Sequence, residues 1–142
     1  MIGKFVANSI VLATLSGFCM MHPVWRMAQS KLGIAHTALL RTELANSGGK
    51  EVIVWDTEYE PGAINARHLH PSAITFYVVS GTGVWLEDGK QPITLRAGDS
   101  LFVPAGTIHS HWNASSTERL RFLEFIAADK GKERAIPLPS KN

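Results

Sequence analysis

Cysteine is nearly missing from this 142-residue chain: the only one is Cys19. A lone thiol cannot close an intrachain disulfide or build a Cys-rich zinc knot, so any core must hold by packing, and the redox compartment is left open. Excess charge is also scarce. The formal charge of +2 comes from Lys4 and Arg26, because residues 1–26 contain no acid and the remainder balances. With no basic stripe, and no patch of Arg and Lys interleaved with aromatics, the electrostatic footprint of nucleic-acid binding is absent, and small molecules become the expected partners. Internal repeats, low-complexity runs and long helical periodicity are lacking too, which excludes solenoids, coiled coils and helical bundles.

What the chain does have is apolar content, at 45% of residues, enough to bury the core of one small domain. Short runs rich in β-branched and aromatic residues, separated by Gly, Pro, Asn and Asp, predict an antiparallel jelly roll or barrel. Strands are expected at 51–59, 66–70, 74–80, 83–87, 91–95, 100–103, 108–112 and 120–126. Asn46-Ser47-Gly48-Gly49 reads as a loop, and Asp88-Gly89 as a tight hairpin turn. The stretch Leu39 to Leu44 reads equally as a short strand or a turn of helix.

The organisation expected is a segment 1–26, an extension with a first strand over 27–50, a barrel over 51–128 and an exposed tail over 129–142. Lys4 precedes an uncharged, largely apolar stretch from Phe5 to Met21. That pattern fits an export signal, leaving a periplasmic or secreted protein. It also fits an uncleaved membrane anchor at the short end of bilayer-spanning length, or a chain that truly starts at Met27 and stays in the cytoplasm.

Two spaced groups carry chemistry. Gly98, Pro104, Gly106, His109 and Asn113 fit G-x5-P-x-G-x2-H-x3-N, and Gly62 is followed after five residues by His68-Leu69-His70, with Gly81 beyond. Alternate residues of a strand share a face, so His68 and His70 form a pincer. His109 adds a third nitrogen. Imidazoles suit Fe, Mn, Ni, Cu or Zn, so the ligands imply a divalent metal ion without naming it.

These two runs resemble the paired motifs of the cupin superfamily, and the chain looks like the small single-domain cupins grouped with quercetin-dioxygenase-like proteins. The resemblance covers residues 61–113 directly. It implies an all-β, double-stranded β-helix (jelly-roll cupin barrel), a metal held by His68, His70 and His109, and a homodimer, with 39–59 the segment to examine at its interface. Ile74 stands where the family carries a glutamate ligand. An alkyl group there would leave the metal's charge less neutralised and favour anionic ligands such as enolates or carboxylates.

Three further residues are pocket candidates. Phe76 is expected to face inward and Trp112 outward, by strand parity. His111 shares the parity of His109 and reads as a fourth ligand, a proton-transfer group or a wall residue. Glu124 is the one acid in an apolar closing strand, and reads as a substitute carboxylate, an arginine partner or a solvent-facing side chain. The function expected is a metal-dependent cupin acting on a small organic substrate, aromatic ones included, with dioxygenase chemistry foremost. The alternative is a cupin that binds a small molecule or metal without turnover. One such barrel hosts many reactions, so the fold does not choose.

Overall fold

The computed structural model describes residues 33–140, so the expectations for residues 1–26 lie outside the described residues. All regular structure described is β-strand, and no helix there is long and apolar enough to cross a membrane.

Alternation along the chain decides which side chains go in. Strand β2 (Lys50–Tyr59) buries Glu51, Ile53, Trp55, Thr57 and Tyr59 and leaves the residues between them half-exposed. It pairs on one side with β1 (Ile34–Glu43) and on the other with β9 (Leu120–Asp129). Beyond β9 come β4 (Ile74–Ser80) and β7 (Ser100–Val103), completing a five-stranded antiparallel sheet. The second sheet runs β10 (Ile136–Pro137), β3 (Ile64–Leu69), β8 (Ile108–Asn113), β5 (Thr82–Glu87) and β6 (Ile93–Arg96). From β3 to β9 the chain passes repeatedly from one sheet to the other, the winding of a double-stranded β-helix.

The inner face of the first sheet is built in cross-strand rows. Ile53, Ile126, Ile74 and Val103 form one, and Trp55, Glu124, Phe76 and Leu101 the next. Burying each aliphatic side chain of such a row contributes about 1.5–3 kcal/mol. The apolar members of these rows join Phe122, Val78, Tyr59 and Leu120 in the hydrophobic core, with Glu124 a buried charge among them.

Two glycines hold the motif loops. Gly81 has φ 83°, and a Cβ there would lie 2.4 Å from the Arg119 carbonyl oxygen, so both conformation and space demand glycine. Gly106, at φ 78°, donates its N–H to the His70 carbonyl at 2.8 Å and so ties one histidine loop to the other. Asn113, the last motif position, is a structural staple: its amide donates to the Glu118 and Glu60 carbonyls at 2.7 and 3.1 Å, and its oxygen accepts from Ser115 N–H.

Three expectations need correction or completion. Leu39 to Leu44 resolves as strand: β1 runs to Glu43. Asp88-Gly89 does form a tight turn, with the Lys90 N–H donating to the Glu87 carbonyl at 3.1 Å, but the β5–β6 ladder stops at Trp85 opposite Ile93, so the connection is longer than a two-residue hairpin. Leu86 and Glu87 pair instead with β8, and Pro92 has no N–H to extend the β6 ladder. The exposed tail is the third. Ile136 and Pro137 do expose their side chains, but their backbone adds β10 beside β3, and Arg134 turns inward to an ion pair.

Candidate functional site

His68 on β3 lies directly across from His109 on β8, and their ring centroids are 4.3 Å apart. His70, one residue beyond β3, stands 5.0 Å from the His68 ring and 5.1 Å from that of His109. All three are buried. Each Nδ1 meets a backbone carbonyl: Ala66 at 2.6 Å for His68, Arg134 at 2.7 Å for His70 and Thr107 at 2.8 Å for His109. A carbonyl only accepts, so Nδ1 must carry the proton and Nε2 the lone pair. All three Nε2 atoms are buried with no hydrogen-bond partner among the described residues. Leaving such groups unmatched is costly, and three of them in one cluster of neighbouring rings are the donor set that a metal ion would satisfy.

Burial disfavours the imidazolium form throughout. It pushes His68 down to about 4, and His109, which also faces His68, down to about 3. His70 is lowered by burial as well. The lone pairs are therefore free at neutral pH, as metal ligation requires.

His111 behaves differently. It is buried and faces inward with His109, but both its nitrogens have partners at 3.3 Å, the Tyr59 hydroxyl at Nδ1 and the Asn65 amide at Nε2. By proximity alone, ring nitrogens of His68, His109 and His111 fall within 4.8 Å of one another, forming a three-histidine group that could hold a metal. The two groupings share His68 and His109 and disagree on the third member. His70 has the free lone pair but lies outside that 4.8 Å group, whereas ligation by His111 would break an existing hydrogen bond.

Glu124 is turned inward, 0% exposed, and already committed. Arg134 donates from Nε to Oε2 at 2.9 Å and from Nη2 to Oε1 at 2.7 Å, and the Thr57 hydroxyl donates to Oε1 at 2.8 Å. Burial would raise its pKa, but the guanidinium and these hydrogen bonds more than offset that and hold the carboxyl below its usual range. Of the readings open for Glu124, the arginine pair is the one found. Ile74, 1% exposed, sits inward in the row next to Glu124.

Phe76 faces inward as expected, its ring 6.1 Å from His70, 5.7 Å from His111 and 5.2 Å from Trp85. Trp112 is half-buried on the opposite face of β8. Phe76, Val78, Trp85, His111, Leu120 and Phe122 line a cavity in which a water's centre has about 20 Å³ to move. That suffices for a water or two and not for an aromatic ring. Tyr59, Asn65 and Arg134 escaped sequence reasoning; Trp85 was legible only as one of several strand aromatics, and the structure turns it inward.

A cupin domain profile matches residues 55–126. The chain belongs to the cupin family. Among characterised proteins this cupin is 34% identical over 68 residues to an oxalate-binding protein of Thermotoga maritima, spanning 47% of this chain and 52% of that one. It is 30% identical over 81 residues to a gentisate 1,2-dioxygenase of a Streptomyces species, spanning 57% of this chain and 20% of the dioxygenase. It thus covers about half of one relative and a fifth of the other. Among solved structures, a cupin-like protein from Thermotoga maritima superposes with a TM-score of 0.61 at 27% identity, covering 75% of this chain and 77% of that one.

Proposed function

We propose that this cupin holds a divalent metal ion through Nε2 of His68, His70 and His109 and uses it to anchor a small organic anion. The observation that carries the reading is the set of three buried, unpartnered Nε2 atoms, each aimed by an Nδ1–H bond to a carbonyl. Such outer bonds fix tautomer and ring orientation at metal-binding histidines. When bound, the ion would supply Lewis-acid attraction for an anionic oxygen and, if redox-active, electrons. Three neutral ligands leave its charge unneutralised, and Ile74 adds none, so carboxylates are the favoured ligand class. The similarity to an oxalate-binding protein and to a gentisate 1,2-dioxygenase supports that class.

The chain's own residues do the rest. Phe76 and Phe122 form an apolar wall beside the histidines, which strengthens electrostatic attraction by excluding water. Trp85 presses flat against His109, and its buried Nε1–H, which has no partner among the described residues, is placed to donate to a ligand. Tyr59 and Asn65 keep His111 in place as a polar wall group.

Dioxygenase chemistry on the bound anion is the enzymatic form of this reading. Holding without turnover is favoured by one specific observation: the nearby carboxylate, Glu124, is locked by Arg134 and is no free base. The homodimer implied by the family is proposed on the outer face of the first sheet, where Leu40, Phe125 and Phe102 lie exposed along one cross-strand row.

The deciding experiment is metal analysis of untagged protein beside a His68→Ala/His109→Ala variant, followed by oxalate and gentisate titrations with oxygen uptake recorded. About one metal per chain, lost in the variant, with oxalate binding that requires it, supports the reading; oxygen uptake with gentisate adds catalysis. A wild type that neither contains nor takes up divalent ions removes it.

A further inference from the structure

The three Nδ1–H bonds are not alike. His68 and His109 donate to carbonyls two residues back, Ala66 within β3 and Thr107 in the turn that leads into β8, so local folding fixes these rings. His70 donates to the carbonyl of Arg134, 64 residues away. Its orientation therefore depends on where a distant segment docks.

That segment, residues 130–139, crosses the barrel as a strap fastened at several points. Lys130 N–H donates to the Gly49 carbonyl at 2.9 Å. Ile136 and Pro137 pair with Leu69 and His68, Leu138 N–H donates to the Arg67 carbonyl at 3.0 Å, and Arg67 reaches the Pro139 carbonyl at 3.1 Å. Between these ends the side chain of Arg134 goes inward. Its guanidinium grips Glu124 by two nitrogens, donates to His36 Nδ1 at 3.0 Å, and lies 5.7 Å from the centre of the Trp55 ring.

We infer that Arg134 is the positioning residue of His70: the Glu124 clamp on its guanidinium fixes the main chain whose carbonyl sets the imidazole's tautomer and direction. Stability alone is a poor explanation for this pair, because well-packed apolar side chains commonly serve as well as a buried ion pair. Geometry is what the pair supplies. A planar two-nitrogen fork on a carboxylate fixes orientation as well as distance. Glu124 sits in the middle of β9, opposite Phe76 on one side and Trp55 on the other, so the anchor is rigid. The metal site is thus completed only when residues 134–137 are docked.

The inference rests on the proposal that His70 ligates, and the test separates the two. Arg134→Met leaves Glu124 buried and unpaired and is liable to unfold; the double variant Arg134→Met/Glu124→Met removes both charges, and Arg134→Lys keeps charge without the fork. Circular dichroism identifies the folded variants. Ring tautomers of the metal-free proteins come from long-range proton–nitrogen correlation spectra, and Co²⁺ affinity and d–d absorption from titration. In the folded variants the inference expects His70 to lose its single Nδ1–H tautomer while His68 and His109 keep theirs. Co²⁺ affinity should fall by about 10–100-fold with a changed absorption band, as for lost outer partners of metal ligands, and lysine should recover part of it. A folded variant with an unchanged His70 tautomer and unchanged Co²⁺ binding overturns the inference and leaves metal binding standing. A wild type that binds no Co²⁺, with the His70 tautomer lost only in the variants, supports the positioning role and removes the metal.

Discussion

Trp85 lies flat against His109, with ring centroids 4.0 Å apart and planes inclined by 20°. The pair comes from two neighbouring strands, β5 and β8, and the same indole also stacks on His111 at 5.2 Å. Trp85 is therefore both the floor of the histidine cluster and its closest fluorophore.

Of the four tryptophans, at 25, 55, 85 and 112, Trp85 should report metal binding. Adding Cu²⁺ or Co²⁺ is expected to quench the protein's fluorescence at about one equivalent, and Trp85→Phe to abolish most of that response. Quenching that survives in Trp85→Phe would place the ion elsewhere.

The buried histidines make stability depend on pH in a definite direction. His68 and His109 have folded-state values lowered to about 4 and about 3, below the unfolded value near 6.5. The unfolded chain then binds more protons between these limits. Stability is whole above about 6.5 and is lost as pH falls toward 3 to 4, with a slope of up to about 1.4 kcal/mol per pH unit for each histidine. Glu124, whose carboxyl is held low by Arg134, acts in the same sense: its contribution goes as pH falls through its folded value. Urea unfolding of metal-free protein at pH 7.5, 5.5 and 4.5 measures this. A midpoint that holds steady across the series would contradict the neutral, buried histidines.

Removing one partner of the Glu124–Arg134 pair should cost far more than removing both. Glu124→Gln strands the guanidinium among Trp55, His36 and Thr57, and is expected to cost about 3–5 kcal/mol, whereas the Glu124→Met/Arg134→Met double variant should lie much closer to wild type. Thermal melts of the three proteins are the check, and equal losses in the single and double variants would show that packing, and not charge, dominates there.

Sequence made the two motifs legible because both are local. Fixed spacing puts His68 and His70 in one pincer, and Pro104 and Gly106 shape the turn before His109. Strand alternation likewise placed Phe76 inward and Trp112 outward. What escaped was what depends on register between distant strands: that Leu86 and Glu87 pair with β8 and not with β6, and that Trp85 falls beside the histidines. Arg134 was the least visible. Its neighbours Lys132, Glu133, Pro137 and Pro139 read as solvated tail, and nothing local shows that its side chain finds a buried acid on β9 while its carbonyl finds His70.

Ile74 offers a test of how the site treats charge. The row Ile53, Ile126, Ile74 and Val103 is wholly aliphatic, so Ile74→Glu places a carboxyl in an apolar layer with no arginine of its own. Without metal the variant should be destabilised, because an unpaired buried acid is costly and is driven toward its protonated form. With metal, a carboxyl at this position, where the family motif has its glutamate, would offer the ion a fourth, anionic ligand. Added Zn²⁺ or Co²⁺ should therefore raise the melting temperature of Ile74→Glu by more than that of wild type. Oxalate affinity should move the opposite way, since the new carboxylate occupies one position on the ion and neutralises part of its charge. Titrating oxalate into both metal-loaded proteins decides the matter. Weaker binding in Ile74→Glu fits an ion that the native site leaves electron-poor for an anionic ligand, whereas unchanged oxalate affinity in a variant whose metal-induced stabilisation has risen would mean that the anion is not held by this metal.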